Sequence, residues 1–434
     1  MKYEHCIRCT ICVENCPVFR VNPAFPGPKQ AGPDAQRFRS DREKSVDDWI
    51  LFCSQCKRCE MACPCDVEPA QIILRVQQRY GLEHPHTAAH LLFANNYHLS
   101  RLGSITAPLA NRFAASKIGK RIFARMGIAT YIPFPKFSFH TLRTEKKTRS
   151  REIRKVAFFY GCFINFYRPD IGRKILRLLQ SFHIDVVLPP QVCCGLPALG
   201  NGNLELARTF ARKNVASLSN YIDAGYDVVY TCTSCGLCLL RDYQGMMDIP
   251  EAKKIAENSY DLHEYLLKLI AEREIKPDFK EVNRTLAYHI PCHLRALRIG
   301  YPAADLLKLI PGIDCRILDD ACCGLSGSYG FKKTNEATAV QLGQRAVSLI
   351  QKTGAQAIVA DCGSCRMQLG GLSGMDAFDP AEIVCESLGI KNNLHSRLNV
   401  TRLEGRSPLP HKSRSVSSLL PLRAGHTPGT QSIQ

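Results

Sequence analysis

The sequence lacks the features of a membrane-spanning or nucleotide-binding chain. Its longest mostly apolar stretches, such as VAFFYGCFINFY at 156–167, fall well short of the roughly 20 residues that a membrane-spanning helix needs. No G-x-G-x-x-G follows a predicted strand, no Walker loop is present, and GNGNLE at 200–205 is only a near match. We therefore expect no transmembrane segment, and we expect the substrate-binding machinery to lie on partner chains.

The chain also lacks the marks of a secreted protein held together by disulfides. It opens MKYEHCIRCT, without an apolar segment or a small-residue cleavage site, so we expect no secretory signal. A length of 434 residues predicts two to four domains of roughly 100 to 200 residues each, whereas disulfide scaffolds are typical of short secreted chains. The 22 cysteines are therefore expected to be reduced and cytosolic.

Outside two segments, the chain has almost no excess of positive charge. Residues 85–155 carry 14 Lys and Arg against 2 Asp and Glu, and residues 395–434 carry 6 against 1. Residues 1–84 carry 12 against 11 and residues 156–394 carry 25 against 25, so the two segments hold almost all of the net charge of +18. We expect no nucleic-acid partner, because such partners require a basic globular surface.

What the sequence does contain is two copies of a ferredoxin-type cysteine run. Both follow C-x2-C-x2-C-x3-C-P, the spacing of bacterial 4Fe-4S ferredoxins. The first run is Cys6, Cys9, Cys12 and Cys16, and the second is Cys53, Cys56, Cys59 and Cys63. Zinc sites have C-x2-C pairs separated by longer loops, often with histidine, so the pattern predicts two 4Fe-4S clusters instead.

In two-cluster ferredoxins the fourth cysteine of each run ligates the other cluster. This pattern assigns Cys6, Cys9, Cys12 and Cys63 to cluster 1, and Cys53, Cys56, Cys59 and Cys16 to cluster 2. Cys65 fits neither cluster and is expected to be a small buried side chain. Between the runs, EKSVDDWILFC has helical apolar spacing, which favours a mainly helical ferredoxin-type domain over residues 1–84.

The rest of the chain reads as two copies of one α/β unit, at 156–270 and 281–394. Alternating strand and helix patterns predict a parallel sheet in each copy. Five cysteines recur at offsets of 129 or 130 residues, namely Cys162, Cys193, Cys194, Cys232 and Cys235 in the first copy and Cys292, Cys322, Cys323, Cys362 and Cys365 in the second. This indicates an internal duplication. We expect a multidomain protein of mixed α+β and α/β class, with the ferredoxin-type domain followed by two tandem Rossmann-like units.

Every cysteine of these two sets is expected at the carboxyl end of a strand, where parallel sheets bind ligands. Each set could hold an iron–sulfur cluster, could form a redox-active disulfide at the adjacent pair, or could be inert and buried. Cys238 adds an alternative thiol to the first set.

Two further pairs of residues are candidates for chemistry. His289 and His293 flank Cys292 and could donate protons, with a local structural hydrogen bond as the alternative. Lys332 and Lys333 could hold an anion, with a solvated loop as the alternative.

The basic connector at 85–155 contains ANRFAASKIGKRIFARMGI. Helical spacing puts Phe113, Ile118, Ile122 and Met126 near one face, and the basic residues Arg112, Lys117, Lys120, Arg121 and Arg125 lie elsewhere. An apolar stripe beside basic residues suits a helix lying on anionic lipid, and a helix packed on its own protein is the alternative. The hypothesis is that this connector touches the membrane surface or a partner.

Both cysteine-rich units resemble the CCG domains of heterodisulfide reductase-type and glycolate oxidase iron–sulfur subunits, of which the former carry noncubane 4Fe-4S clusters. Over about residues 1–390 the chain is similar to the family of the C subunit of anaerobic glycerol-3-phosphate dehydrogenase. That similarity is carried by ENCPVFRVNPAFPGPKQAGPD, KRCEMACPCDV, VAFFYGCFINFYRPDIG, YHIPCHL and CCGLSGSYGFKK.

The resemblance implies an electron-transfer subunit without its own catalytic residues. In that family, the A and B flavoprotein subunits oxidise sn-glycerol 3-phosphate, and the C subunit passes the electrons to membrane quinone from the cytoplasmic face of the inner membrane, as a peripheral anchor. The alternatives are an iron–sulfur subunit of a lactate or glycolate oxidase and a heterodisulfide reductase-like thiol–disulfide enzyme.

The chain departs from the family pattern at Cys65 and in keeping all of Cys232, Cys235 and Cys238. The tail at 395–434 lies beyond the resemblance and is expected to be disordered.

Overall fold

The computed structural model describes residues 2–39, 47–84, 87–144 and 154–390. All of them belong to one unit of the chain, Met1–Leu398. The predicted disordered tail at 395–434 lies outside the described residues. Within the described residues, no helix is both long enough and apolar enough to cross a membrane.

The N-terminal region is helical, as expected, and its described residues contain no strand. Its α-helices are α1 (Ile11–Glu14), α2 (Arg58–Met61) and α3 (Pro69–Glu83). The helix expected in EKSVDDWILFC is reduced to a 3-10 turn at Asp48–Phe52, and residues 43–46 of that segment lie outside the described part. One reason is local, because the turn ends at Cys53, whose extended backbone begins the second cysteine loop.

The connector forms four short helices, α4 (Ala88–Ala94), α5 (Asn96–Ile105), α6 (Ala107–Ala115) and α7 (Lys117–Arg125). The single stripe expected across ANRFAASKIGKRIFARMGI is therefore divided. Ser116 has extended backbone angles and its hydroxyl accepts a hydrogen bond from the Gly119 backbone N–H, so it ends α6 and caps α7. Phe113, Ile118 and Ile122 nevertheless all remain exposed.

The first cysteine-rich unit is built on a four-stranded parallel sheet of order β2-β1-β3-β4. The strands are β1 (Arg154–Phe159), β2 (Ile184–Val187), β3 (Asp227–Tyr230) and β4 (Ser259–Asp261). The helices are α8 (Gly161–Phe166), α9 (Pro169–Ser181), α10 (Leu196–Leu199), α11 (Leu204–Asp223), α12 (Thr233–Leu237), α13 (Tyr243–Gly245), α14 (Ala252–Glu257) and α15 (Leu262–Ala271).

The second unit repeats this sheet with the order β6-β5-β7-β8, again all parallel. Its strands are β5 (Arg284–His289), β6 (Ile313–Leu318), β7 (Ala357–Val359) and β8 (Ala377–Phe378). Its helices are α16 (Cys292–Leu297), α17 (Pro302–Lys308), α18 (Glu336–Lys352), α19 (Gly363–Ser373) and α20 (Pro380–Ser387). The expected α/β class and duplication are confirmed at the level of strand order.

The fourth strand of each sheet was not apparent in the sequence, and each is followed directly by a well-marked helix start. Asp261 caps α15 and Asp379 caps α20, and in both cases a glutamate three residues later bonds back to the backbone N–H of the cap. These matched capping boxes continue the duplication beyond the cysteines.

One apolar core runs through both units. It includes Phe158 of β1 and Leu266 of α15 on one side, and Leu286 of β5 and Leu307 of α17 on the other, all essentially inaccessible to solvent. Burial of each such side chain contributes roughly 1.5–3 kcal/mol. The two sheets are therefore held together by a shared core, which positions their carboxyl edges relative to each other.

Candidate metal centres

The loops that carry the two ferredoxin-type runs have the same unusual backbone. Arg8 and Thr10 have φ angles of 59° and 65°, and Gln55 and Lys57, at the matching positions of the second run, have 58° and 61°. A left-handed conformation costs a non-glycine residue roughly 1–2 kcal/mol. Such repeated strain is typical of loops shaped around a ligand.

The four thiols assigned to cluster 1 surround one small cavity of about 20 Å³. Its lining includes Cys6, Cys9, Cys12 and Cys63, and Cys65 also reaches it. Burial, followed by the charges of Cys6, Cys9 and Cys63, raises the pKa of Cys12 to about 11. The fourth cysteine of the second run, Cys63, therefore lies with the first run, and its role as a ligand of cluster 1 stays a prediction.

The second set shows the reciprocal arrangement. Cys16 packs in the same apolar cluster as Cys53. Burial raises the pKa of Cys53 to about 12, with the charge of Cys16 adding to the effect. Burial also raises the pKa of Cys59 well above its ordinary value, with Cys53 and Cys16 among the charges that contribute.

This donor set suits an iron–sulfur cluster. Buried thiols that raise one another's pKa cannot all ionise unless a cation offsets their charge, and cluster iron supplies that positive charge. Backbone N–H groups also point at the sulfurs, since Phe19 N donates to Cys16 Sγ at 3.5 Å and Val67 N donates to Cys63 Sγ at 3.3 Å.

The first CCG set gathers six thiols rather than five. Cys193, Cys194, Cys235 and Cys238 pack in one buried cluster, with Cys162 and Cys232 against it. The neighbouring thiols of Cys193, Cys235 and Cys238 lower the pKa of Cys194 well below its ordinary value. Cys235 in turn contacts Cys232. Cys238 therefore joins the set and does not substitute for one of its members.

The second CCG set divides into two contacting groups. Cys322 lies close enough to Cys292 to lower the pKa of Cys292. Cys365 Sγ donates to Cys323 Sγ at 3.3 Å, and Cys365 also lies close enough to Cys362 to lower the pKa of Cys362. All 22 cysteines lie in the described residues and none forms a disulfide.

Each adjacent pair serves both halves of its set. The first cysteine of the pair, Cys193 or Cys322, faces the thiol that follows the first strand, and the second, Cys194 or Cys323, faces the C-x2-C segment. The pair is thus the link between thiols from different strand ends. The structure brings all five predicted members of each set to one sheet edge, and their role as ligands stays a prediction.

The glycine after each pair is required by its neighbours. Gly195 and Gly324 have φ angles of 97° and 80°. A Cβ at Gly195 would lie 3.1 Å from the Ala207 carbonyl oxygen, and one at Gly324 would overlap that of Ala339. The close approach at each glycine is therefore to the helix that follows, α11 or α18.

The second-run loop is fastened to the second CCG unit by polar contacts. Arg58 Nη2 donates to the Ala321 carbonyl oxygen at 2.5 Å, next to the cysteine pair, and Ser326 Oγ donates to the Ser54 carbonyl oxygen at 2.6 Å. The loop also carries Lys57, a buried cation 3.8 Å from the Asp242 carboxylate of the first unit. These contacts hold three cysteine sets in a constant arrangement.

His293 connects the same three regions. Its Nε2 donates to the Gln55 carbonyl oxygen at 3.3 Å, which leaves Nδ1 to accept from the Ser234 hydroxyl at 2.9 Å. Burial lowers the pKa of His293, which agrees with this neutral form. His293 therefore makes local structural hydrogen bonds, which was the alternative to a role in proton donation. Neither ring nitrogen of His289, in contrast, has a hydrogen-bond partner among the described residues.

A cavity of about 600 Å³ lies where these regions meet. Thiols of three sets line it, represented by Cys53, Cys162 and Cys362, and Phe93 and Phe134 of the connector line its other side. Such a space can accept a small molecule beside several redox centres.

Of the two lysines singled out in the sequence, only Lys332 reaches this cavity. Burial lowers the pKa of Lys332 to about 8. Lys333 is exposed. The sequence did not indicate the contacts of Arg58, Lys57 and Ser326, because no motif encodes a contact between distant segments.

Comparisons with known proteins agree with this geometry. A 4Fe-4S dicluster domain model matches residues 2–67, and a cysteine-rich CCG domain model matches residues 156–240 and 286–370. These matches and the donor sets identify the cofactors as 4Fe-4S clusters in the N-terminal region and iron–sulfur clusters, including noncubane ones, in the CCG domains.

Three curated relatives span much of their own length in the match. The C subunit of anaerobic glycerol-3-phosphate dehydrogenase of Escherichia coli is 32% identical over 396 residues, 89% of this chain and 98% of the relative. The B subunit of fumarate reductase (CoM/CoB) of Methanothermobacter marburgensis is 26% identical over 85% of this chain and 68% of its own. Lactate utilization protein A of Bacillus pumilus is 31% identical over 50% of this chain and 91% of its own.

The cysteine geometry, the domain matches and the near-complete coverage of the first relative point the same way. The chain belongs to the family of the C subunit of anaerobic glycerol-3-phosphate dehydrogenase, and it is an iron–sulfur electron-transfer protein.

Proposed function

We propose that this chain carries electrons from the A and B flavoprotein subunits of an sn-glycerol-3-phosphate dehydrogenase to membrane quinone. The observation that carries the proposal is one apolar cluster in which Cys16 and Cys53 of the ferredoxin-type runs pack with Cys292 and Cys322 of the second CCG unit. When bound, iron–sulfur clusters accept and release single electrons. The proposal includes the ligand assignments. Cluster 1 is held by Cys6, Cys9, Cys12 and Cys63, cluster 2 by Cys53, Cys56, Cys59 and Cys16, and each CCG set provides five thiols. The proposal also includes the domain boundaries at 84, 155, 270 and 281.

Electrons enter at the first-run loop. Cys9 is exposed there, and two large apolar side chains beside it, Ile7 and Ile11, are 67% and 42% exposed. The second-run cysteines Cys56 and Cys59 are buried. An apolar rim around an accessible thiol set suits a docking surface for the flavoproteins.

The connector places the complex at the membrane surface. Large apolar side chains on α5 to α7 are exposed, namely Leu102, Ile105, Leu109, Phe113, Ile118 and Ile122. They lie among the basic residues that give this segment its positive charge. Exposed apolar side chains among lysines and arginines suit insertion into the headgroup region of an anionic bilayer.

Anaerobic co-purification tests the function. Tagged chain should bring down the two flavoprotein subunits, and sn-glycerol 3-phosphate should then reduce its clusters. The variant Ile11→Asp, at a position that does not line the cavity of cluster 1, should lose the partners while keeping its iron. Recovery of lactate-utilising partners alone, or clusters that stay oxidised in the assembled complex, would contradict the proposal.

A second candidate is favoured by the 600 Å³ cavity, which thiols of both CCG units line. A disulfide bound there would take two electrons and two protons and leave as two thiols. Anaerobic incubation of the reduced chain with small disulfides, followed by thiol quantitation, distinguishes this activity from quinone reduction.

A further inference from the structure

His289 is a buried imidazole without a conventional partner. It is the last residue of β5 and has no exposed surface. Neither ring nitrogen finds a hydrogen-bond partner in the described part of the chain. Leaving two buried polar atoms unsatisfied is unfavourable, so such a group needs an explanation in a ligand or a function.

The ring nitrogen faces sulfur. One nitrogen of His289 and the sulfurs of Cys323 and Cys365 all lie within 4.8 Å of one another, and all three side chains are buried. The ring is also close enough to Cys323 to contribute to the lowered pKa of that thiol, after the hydrogen bond from Cys365. Donors around one tetrahedral metal ion lie about 3.5–3.8 Å apart, given bonds of about 2.3 Å to sulfur and 2.0 Å to nitrogen. The separations in this trio, which include 3.3 Å between Cys365 Sγ and Cys323 Sγ and do not exceed 4.8 Å, are close to that spacing.

The duplication shows that the histidine is peculiar to the second unit. With the 130-residue offset, the position of His289 corresponds to Phe159, which is 1% exposed and packs in an apolar cluster. The first unit has a different sixth donor, Cys238, whose own counterpart is Gln368. Both sixth donors, Cys238 and His289, approach the second cysteine of the adjacent pair.

We propose that His289, together with Cys323 and Cys365, coordinates one iron of the cluster in the second CCG unit. The first unit then offers six thiols, whereas the second offers five thiols and one neutral imidazole. This inference rests on the proposed function only in placing a cluster in the second unit.

The ligand difference sets the two units apart in reduction potential. Imidazole in place of thiolate removes negative charge from the iron and raises its potential, as it does in Rieske centres. The second unit is therefore the easier of the two to reduce, other factors being equal.

The test uses the full chain purified anaerobically with its iron. Protein labelled with ¹⁵N only at histidine should show a strongly coupled nitrogen in pulsed EPR of the reduced second unit. His289→Phe, which installs the residue of the first unit, should abolish that coupling. His289→Cys should abolish it and shift the potential to more negative values, whereas the control His293→Asn should keep the coupling.

Several outcomes would contradict the assignment of His289 as a ligand. Full iron content with no nitrogen coupling in the unsubstituted chain would do so, and so would a coupling that survives His289→Phe. The measurement on the unsubstituted labelled chain does not depend on the folding of any variant. If Cys323→Ser and Cys365→Ser left the iron content unchanged, the second unit would hold no cluster at these thiols. That result would also count against the part of the second unit in electron transfer.

Discussion

Cys56 and Cys292 lie close together across the boundary between the N-terminal cysteine loops and the second CCG unit, and Cys292 raises the pKa of Cys56 well above its ordinary value. Cys292 also packs in one apolar cluster with Cys322 and with Cys16, so thiols of the ferredoxin-type runs and of a CCG set are neighbours. Electron transfer between redox centres needs short separations, and this contact supplies one.

Arg58 should control the step between these two sets. It lies against Cys56, Cys292 and Cys322, and its positive charge favours reduction of any cluster they hold. Arg58→Gln should shift the nearest cluster potential to more negative values and slow reduction of the second unit, and loss of its charged hydrogen bond should cost about 1.5–3 kcal/mol. Redox titration followed by EPR measures the shift. Arg58→Lys retains the charge and should shift the potential less, so an equal shift in both variants would contradict an electrostatic role.

Cys63 and Cys65 form a matched pair that tests the crossed assignment. Cys63→Ser should remove one 4Fe-4S cluster, a loss of about four irons per chain. Cys65→Ser should leave the iron content unchanged, although Cys65 reaches the same cavity. Iron and sulfide quantitation after anaerobic purification decides the matter. Iron loss in Cys65→Ser would make Cys65 a ligand.

Gly324 should tolerate no side chain. Alanine there must adopt a φ angle of 80° and overlap the Ala339 carbonyl oxygen, so Gly324→Ala should lower the free energy of unfolding by about 3 kcal/mol or more. Gly327 has a φ angle of 64° but no neighbour within 4 Å of an added Cβ. Gly327→Ala should therefore cost only about 1–2 kcal/mol. Denaturant unfolding compares the two, and equal losses would mean that the overlap is relieved.

His263 should make stability depend on pH. Burial alone would lower its pKa, but the hydrogen bond and charge of Asp261, with Asp361 adding, raise the pKa of His263 to about 9 from its ordinary 6.5. Because the folded-state pKa is the higher one, this contribution is complete below about pH 6.5 and is lost as the pH rises to 9.

The unfolding free energy should therefore fall by up to roughly 3 kcal/mol over that interval. Burial also raises the pKa of Asp361 to about 6, which adds a separate loss of stability between about pH 4 and 6. His263→Gln should remove the loss of stability between about pH 6.5 and 9 that His263 causes. Because the charge of His263 holds the pKa of Asp361 down, the loss that Asp361 causes should move to higher pH in this variant. A variant whose stability falls as steeply between pH 6.5 and 9 as that of the unsubstituted chain would assign the slope to another group.

The exposed connector residues should determine vesicle binding. Leu109 and Ile118 are 74% and 66% exposed, so replacing each by glutamate should leave the unfolding free energy almost unchanged. The double variant should bind anionic vesicles at least about tenfold more weakly, measured by co-sedimentation at low salt. Leu82→Glu, at a position that is 85% exposed on α3, is the control and should bind normally. Binding by the double variant equal to that of the unsubstituted chain would argue against this surface.

The sequence-based predictions failed where an element was too short to show a periodic pattern or where neighbouring residues changed the local backbone. The strands β4 and β8 contain three and two residues, too few for a period-2 pattern to emerge. The helical spacing around Trp49 gave way to a 3-10 turn beside Cys53. The stripe through Phe113 and Ile118 was divided because the Ser116 hydroxyl caps a new helix.

The sequence by itself determined the cofactor class, the duplication and the α/β character of the two units, because cysteine spacing and apolar periodicity are local properties of the chain. It also placed each adjacent cysteine pair at a strand end. Only the tertiary structure decided that Cys56 meets Cys292, that Cys238 joins the first thiol set, and that His289 faces Cys323. These contacts join segments far apart in the sequence, and the shared core between the two sheets, which no local pattern encodes, sets their distances.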